Sequence, residues 1–313
     1  MHPIIPIAAF LLCSTIISAP AHGANLVSRL GFPADARVLI INCDDFGMCH
    51  AENLGTFDAL LHGVATSSTV MMPCSWVPEV VAWKHDHPGA NLGVHLTLNC
   101  EWGHYRWRPL LGPTVPSLLD PSGYLWNDCE PLWAHVSEDD AYRECRAQVE
   151  YAIKLGLDPT HLDNHMGSLQ LHSKLWRVYL RLAKEFHLPL RLASAAMYDH
   201  LGSPGQREEY DKAGILGPDN LIFPNSSMYP KPKTLADVPA YYEKILRGLQ
   251  PGTVTELYLH VGIDSPEFEA VCGSHAWRQA DHDWLVAPST RKLIDDLGIK
   301  LISYRPLRDL MRK

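Results

Sequence analysis

Arg37-Val-Leu-Ile-Ile-Asn42-Cys43-Asp44-Asp45-Phe46-Gly47 is a short, β-branched apolar run that breaks off in two carboxylates, an aromatic ring and a glycine. A run this apolar, with no polar alternation, reads as a strand buried on both faces that feeds into a loop. Outward from it the pattern repeats. Residues 51–62 carry Leu54, Phe57, Leu60 and Leu61 at helical spacing, 65–72 reads as a strand, 77–85 as a helix and 92–98 as a third strand. Strand and helix alternating at this pace imply a parallel sheet covered by helices. The rhythm breaks over 99–127, a Trp-, Pro- and Gly-rich stretch that reads as a long functional loop. It resumes with a helix over 138–155, a strand over 160–163, a helix over 173–186 and a strand over 190–193. A polar insertion over 202–220 precedes a helix at 238–249, a strand at 253–260, a helix at 288–297 and a last strand at 300–304. No repeat or linker divides the chain, so one α/β barrel-like domain is expected.

Composition narrows the function. With 27 Lys+Arg against 35 Asp+Glu the 313 residues carry a formal charge of −8, which disfavours a nucleic-acid partner. Hydrophobic residues at 46% and charged residues at 20% suit an ordinary globular core rather than disorder. Nine Trp, twelve Tyr and seventeen His supply flat aromatic faces and imidazoles, the materials of sugar and metal sites.

Residues 3–19 are almost wholly apolar and are followed by Ser18-Ala19-Pro20-Ala21 and Ala21-His22-Gly23, plausible cleavage sites. Residues 1–23 therefore read as a secretory signal peptide, with 24–313 as the working domain, and the stretch is short for a membrane span. A secreted or periplasmic location follows. Of eight cysteines, Cys13 would leave with the signal, and the odd number that remains cannot all pair within one chain. Their apolar settings favour buried free thiols, and export leaves room for one or two disulfides.

Active sites of parallel α/β proteins collect at the carboxyl ends of the strands. Four such ends carry chemistry: Asp44-Asp45, His95, His161-Leu-Asp163-Asn164-His165 and His260. A strand-terminal Asp usually caps a helix and a lone His usually packs; recurrence on four strands argues for a shared site. Two imidazoles and one carboxylate suit a cation such as Zn²⁺ and leave positions open for water. A second carboxylate free of the metal can take a proton. Adjacent residues of an extended backbone point to opposite sides, so Asp44 and Asp45 can hold different roles.

Asn42-Cys43-Asp44-Asp45-Phe46-Gly47 with Asn53, His62-Gly63-Val64-Ala65-Thr66-Ser67, Gly93-Val94-His95-Leu96-Thr97-Leu98 and Thr160-His161-Leu162-Asp163-Asn164-His165 together resemble the YdjC-like carbohydrate deacetylases. That family includes diacetylchitobiose deacetylases and is related to the NodB-type polysaccharide deacetylases. The resemblance implies an irregular (β/α) barrel of parallel strands and metal-dependent removal of acetyl groups from N-acetylated oligosaccharides or glycans. It implies Asp45, His95 and His165 as metal ligands, Asp44 as general base and His260 as general acid. Zn²⁺ is the favoured divalent metal and Mg²⁺ the alternative. The chain departs from the family pattern at Gly167, where a His is common, and at His260-Val261-Gly262, where His-Pro-Gly is common.

Trp102, Tyr105 and Trp107 follow the His95 strand and offer faces for a pyranose ring, and Arg191 could orient a carboxylate or hydroxyl. Packing aromatics and an ordinary ion pair are the plain alternatives. Two other functions compete: a metal-dependent hydrolase of another amide or ester bond, and a secreted glycan-binding barrel with a structural metal. No Gly-rich phosphate loop or basic cluster adjoins Asp44, which disfavours phosphoryl chemistry, and a binding module needs no base beside its metal.

Overall fold

The computed structural model describes residues 25–224 and 229–313; the expected signal segment lies outside them. Seven parallel strands form one sheet: β1 Arg37–Phe46, β2 Ser67–Val70, β3 Leu92–Leu96, β4 Leu162–Asn164, β5 Asn220–Ile222, β6 Thr253–Leu259 and β7 Lys300–Leu301. Their order is β4-β3-β2-β1-β6-β5, with β7 beside β1. From its second residue on, β1 is buried throughout, as its uninterrupted apolar run requires.

Helices on the outside bury one stripe each against this sheet. The helix Glu138–Lys154 starts where the Ser137 side chain accepts from the Asp140 N–H, and three acidic residues in its first turn and Lys154 in its last complement the backbone dipole. The helix Trp176–Phe186 stops at His187, whose φ of 50° takes the chain out of the helical region.

The sheet's two edges meet through irregular backbone rather than strand. Leu162 N–H donates to Pro189 O and Arg191 N–H to Leu162 O, each at 3.0 Å, and Leu190 N–H reaches Leu216 O at 3.0 Å just before β5. The architecture is therefore an α/β half-barrel sheet in a single domain whose ring closes along a seam. The strand expected over 190–193 is reduced there to one bridge, Leu162 to Leu190, because Arg191 O accepts from the Tyr179 hydroxyl and the Ala193 N–H turns to the Tyr198 hydroxyl, each at 3.4 Å, instead of continuing the ladder.

Other differences also lie in short elements. The insertion at 202–220 holds a helix, Gln206–Lys212, and leads into β5. The Trp-rich loop is not open chain: Trp107, Val115, Leu118 and Leu125 are buried in the main core. The seven cysteines of the described residues are buried free thiols, so no disulfide forms among them. No helix among the described residues is long and apolar enough to cross a membrane.

Candidate active site

At the end of β1 the backbone leaves the extended conformation. The β1–β2 register shifts between Cys43 and Phe46, and Asp45 takes a φ of 62°. The adjacent aspartates do diverge, but by this left-handed bulge and not by the simple alternation of an extended strand. The turn that follows is pinned by Asn53, whose Oδ1 accepts the Gly47 N–H at 2.8 Å.

Asp45 Oδ1 stands 3.4 Å from His95 Nε2 and 3.3 Å from His165 Nδ1, and the two imidazole nitrogens are 3.3 Å apart. Each ring is held from its far side by a carboxylate: His95 Nδ1 meets Asp163 Oδ1 at 2.7 Å, and His165 Nε2 meets Glu101 Oε2 at 2.8 Å. Thr69 in turn donates to Asp163 Oδ2 at 2.8 Å. Such pairs place the N–H of each neutral imidazole outward and turn its lone pair toward Asp45.

The donor set fits a divalent cation. Asp45 Oδ1 is buried and receives no hydrogen bond. Three ligand atoms on a tetrahedral ion bonded at ~2.0–2.1 Å would lie about 3.3–3.4 Å apart, the separations found here. Positive charge is also what the neighbours demand. Burial opposes protonation of His95, but Asp163 and Asp45 outweigh it and push its pKa up to about 9; burial likewise opposes protonation of His165, which Glu101 and Asp45 raise to about 10. Against its own burial, Asp45 is held well below the usual carboxylate range, first by Arg278.

Asp44 is held separately from these three ligand atoms, beside Asp163 and within 4.8 Å of a His95 ring nitrogen. Arg191 grips it bidentately, Nη1 to Oδ2 at 2.7 Å and Nη2 to Oδ1 at 2.6 Å, and Asn42 Nδ2 adds a bond to Oδ1 at 2.9 Å. The same guanidinium lies 2.9 Å from Asp163 and 2.8 Å from Glu256. His260 reaches the cleft from the end of β6, with Nε2 3.8 Å from Asp45 Oδ2. All five residues line one cleft of about 300 Å³, along with Arg191, Arg278 and an apolar wall of Leu171, Leu221, Phe223 and Tyr258.

The aromatic trio stands elsewhere. Trp102 and Trp107 are buried, and none of the three lines this cleft. Trp107 donates its indole N–H to Asn99 O at 3.0 Å and backs onto His165, ring centres 6.3 Å apart, so it packs behind the cluster. Tyr105 lines a neighbouring pocket. Arg191 is committed to carboxylates, orienting Asp44 rather than reaching outward.

Sequence reasoning gave no role to Glu101, Asp163 or Arg278. Arg278 Nη1 bridges Asp45 Oδ2 at 2.8 Å and the buried Glu52 at 2.6 Å. It rides on the helix His275–Val286, whose Trp277, Ala280, Trp284 and Leu285 repeat at helical spacing and could have revealed it. Glu101 sits in irregular chain, where no periodicity marks it.

Comparison with known proteins places the chain in one family over most of its length. The YdjC-like protein family model matches residues 38–296. A carbohydrate deacetylase of Thermus thermophilus is 42% identical over 164 residues, 52% of this chain and 56% of the relative. A carbohydrate deacetylase of Thermoanaerobacter pseudethanolicus is 27% identical over 273 residues, covering 87% of this chain and 100% of the relative. A chitooligosaccharide deacetylase of Yersinia enterocolitica is 31% identical over 193 residues, 59% of this chain and 71% of the relative. Among solved structures, an Enterococcus faecalis V583 protein provisionally assigned to cellobiose-phosphate cleavage superposes with a TM-score of 0.74 at 27% identity, covering 87% of this chain and 99% of that one.

Proposed function

The chain belongs to the YdjC-like family, and we propose that it removes acetyl groups from N-acetylated sugars with a divalent cation held by Asp45, His95 and His165. The observation that carries this reading is the convergence of Asp45 Oδ1, His95 Nε2 and His165 Nδ1 to within 3.4 Å of one another beside a separate, clamped carboxylate. The deacetylase names of the relatives support the substrate class. Two imidazoles with one carboxylate favour Zn²⁺ over Mg²⁺, which prefers oxygen ligands and keeps more water.

When bound, such a cation supplies Lewis acidity to an acyl oxygen and acidifies water. Asp44 is the base. Its Oδ1 is filled by Arg191 and Asn42, but Oδ2 carries the Arg191 bond alone and keeps a lone pair for a proton of the attacking water. Arg191 fixes the carboxylate so that little reorganisation is needed at the moment of transfer. His260 gives the proton that the amine nitrogen needs as the C–N bond breaks. Leu171, Leu221, Phe223 and Tyr258 keep water from the acyl side.

The test is acetate release from a panel of N-acetylated oligosaccharides by metal-reconstituted protein. Release establishes the activity, and silence across the panel with cation bound overturns it. We further propose action outside the cytoplasm, on the apolar 3–19 stretch and the small residues behind it. Amino-terminal sequencing of exported protein should find a start near residue 24; an intact Met1 in that fraction would rule out cleavage.

A further inference from the structure

A second pocket, of about 140 Å³, opens on the same carboxyl-end rim. Three of the four catalytic segments run on into its lining. The chain beyond Asp45 supplies Cys49 and His50, the loop beyond His95 and Glu101 supplies Tyr105, and the chain beyond His260 supplies Phe268; Trp76 follows β2. The floor is buried Phe268 and Cys49, and the rim is polar through His50 and Glu267.

Trp76 is the distinctive wall. Its ring stacks on His50, with centres 4.9 Å apart and planes inclined 29°. His50 is fixed by Glu79 at 2.9 Å, and Glu79 accepts from Asn53 Nδ2 at 2.7 Å. The same Asn53 nitrogen also donates to Trp76 O at 3.2 Å. Ring and backbone are thus both held, yet Trp76 stays 37% exposed. Facing it, Tyr105 is fixed by its hydroxyl, which donates to Met48 O. An aromatic face held in place and left open has already met the ordering cost of binding, the usual basis of a preorganised site. Flat apolar faces with a polar rim suit the C–H face and hydroxyls of a pyranose.

The distance suits an oligosaccharide. Tyr105 stands 5.8 Å from Trp107, and Trp107, buried behind the cluster, 6.3 Å from His165, which bounds the separation of the pocket from the metal ligands to two ring-to-ring steps. We propose that the Trp76–Tyr105 pocket is a distal subsite that holds another pyranose ring of the oligosaccharide whose acetamide is cleaved. The proposal rests on the deacetylase reading and adds to it a preference for substrates longer than a disaccharide.

The test compares kcat/KM for acetate release from N-acetylglucosamine oligomers of increasing length, with metal-loaded protein carrying Trp76→Ala, Trp76→Tyr or Leu54→Glu. Leu54 lines the pocket from the exposed side of its helix, so its substitution spares the core. The ratio of long- to short-oligomer kcat/KM should fall roughly tenfold in Trp76→Ala, the scale of one aromatic anchor. It should fall in Leu54→Glu and be largely kept in Trp76→Tyr. An active protein whose length ratio is the same in all variants overturns the subsite alone. An unsubstituted protein inactive on every length overturns the deacetylase reading and the subsite with it.

Discussion

Asp44 gives both its oxygens to Arg191, whereas Asp45 turns Oδ1 to two imidazoles and Oδ2 to Arg278. Asp44→Asn should therefore keep the metal and lose about 10²–10⁴-fold in turnover, since Asn cannot take the proton. Asp45→Asn should lower metal affinity instead. Metal content and acetate release, measured side by side, separate the two, and the reverse pattern would exchange the roles. Glu101→Gln keeps an acceptor for His165 but drops the charge that orients and enriches the ring. It should weaken metal binding about 10–100-fold by competition with a chromophoric chelator, and unchanged affinity would make Glu101 a bystander. At this scale the sequence exposed the residues that end strands, because a carboxylate or imidazole after an apolar run stands out. It hid Glu101, which sits in irregular chain, and Arg278, whose helix the spacing marks without singling out the arginine.

β3 and β4 lie close enough that one position admits no side chain. A Cβ on Gly93 would come 2.6 Å from the His161 ring and 2.7 Å from its carbonyl oxygen. Gly93→Ala forces backbone to move and should cost about 1–3 kcal/mol or more, read as a lower denaturation midpoint with an unchanged slope. An equally stable variant would mean the strands can spread freely. Elements with a long apolar stripe or a β-branched run were legible: β1, β6 and the helix Glu138–Lys154 stand within a few residues of their expected limits, although β1 runs on through the two aspartates. Those left unassigned are mostly short, the helix His275–Val286 being the exception. β5 has three residues, too few for alternation to register, and the 190–193 stretch reads as a strand by composition while two tyrosine hydroxyls engage the backbone groups that would extend its ladder.

For the whole molecule, one contribution that acid removes is that of His161, a strand-end imidazole that proves to be core. It is fully buried and stacked on Tyr304, ring centres 3.7 Å apart, with Nε2 unpartnered. Burial lowers its pKa to about 3. Below its unfolded pKa near 6.5 the unfolded chain takes a proton at this position that the native state refuses, so the His161 contribution to stability falls as pH drops. Between pH 7 and 5 this amounts to about 2 kcal/mol. His161→Asn should be less stable at neutral pH yet lose less on acidification, and parallel stability curves would remove His161 as a cause. The seam between β4 and β5 has a consequence of its own. Arg191 lies on it and ties Asp44 of β1, Asp163 of β4 and Glu256 of β6 to the closing segment. Removing that guanidinium would strand three buried carboxylates, a loss of the kind that costs about 3–5 kcal/mol for a single broken buried pair. Barrel closure and alignment of the base are thus one mechanical joint, and an inert protein for trapping a sugar complex is better built at Asp44 than at Arg191, because Asp163 and Glu256 then still hold the guanidinium.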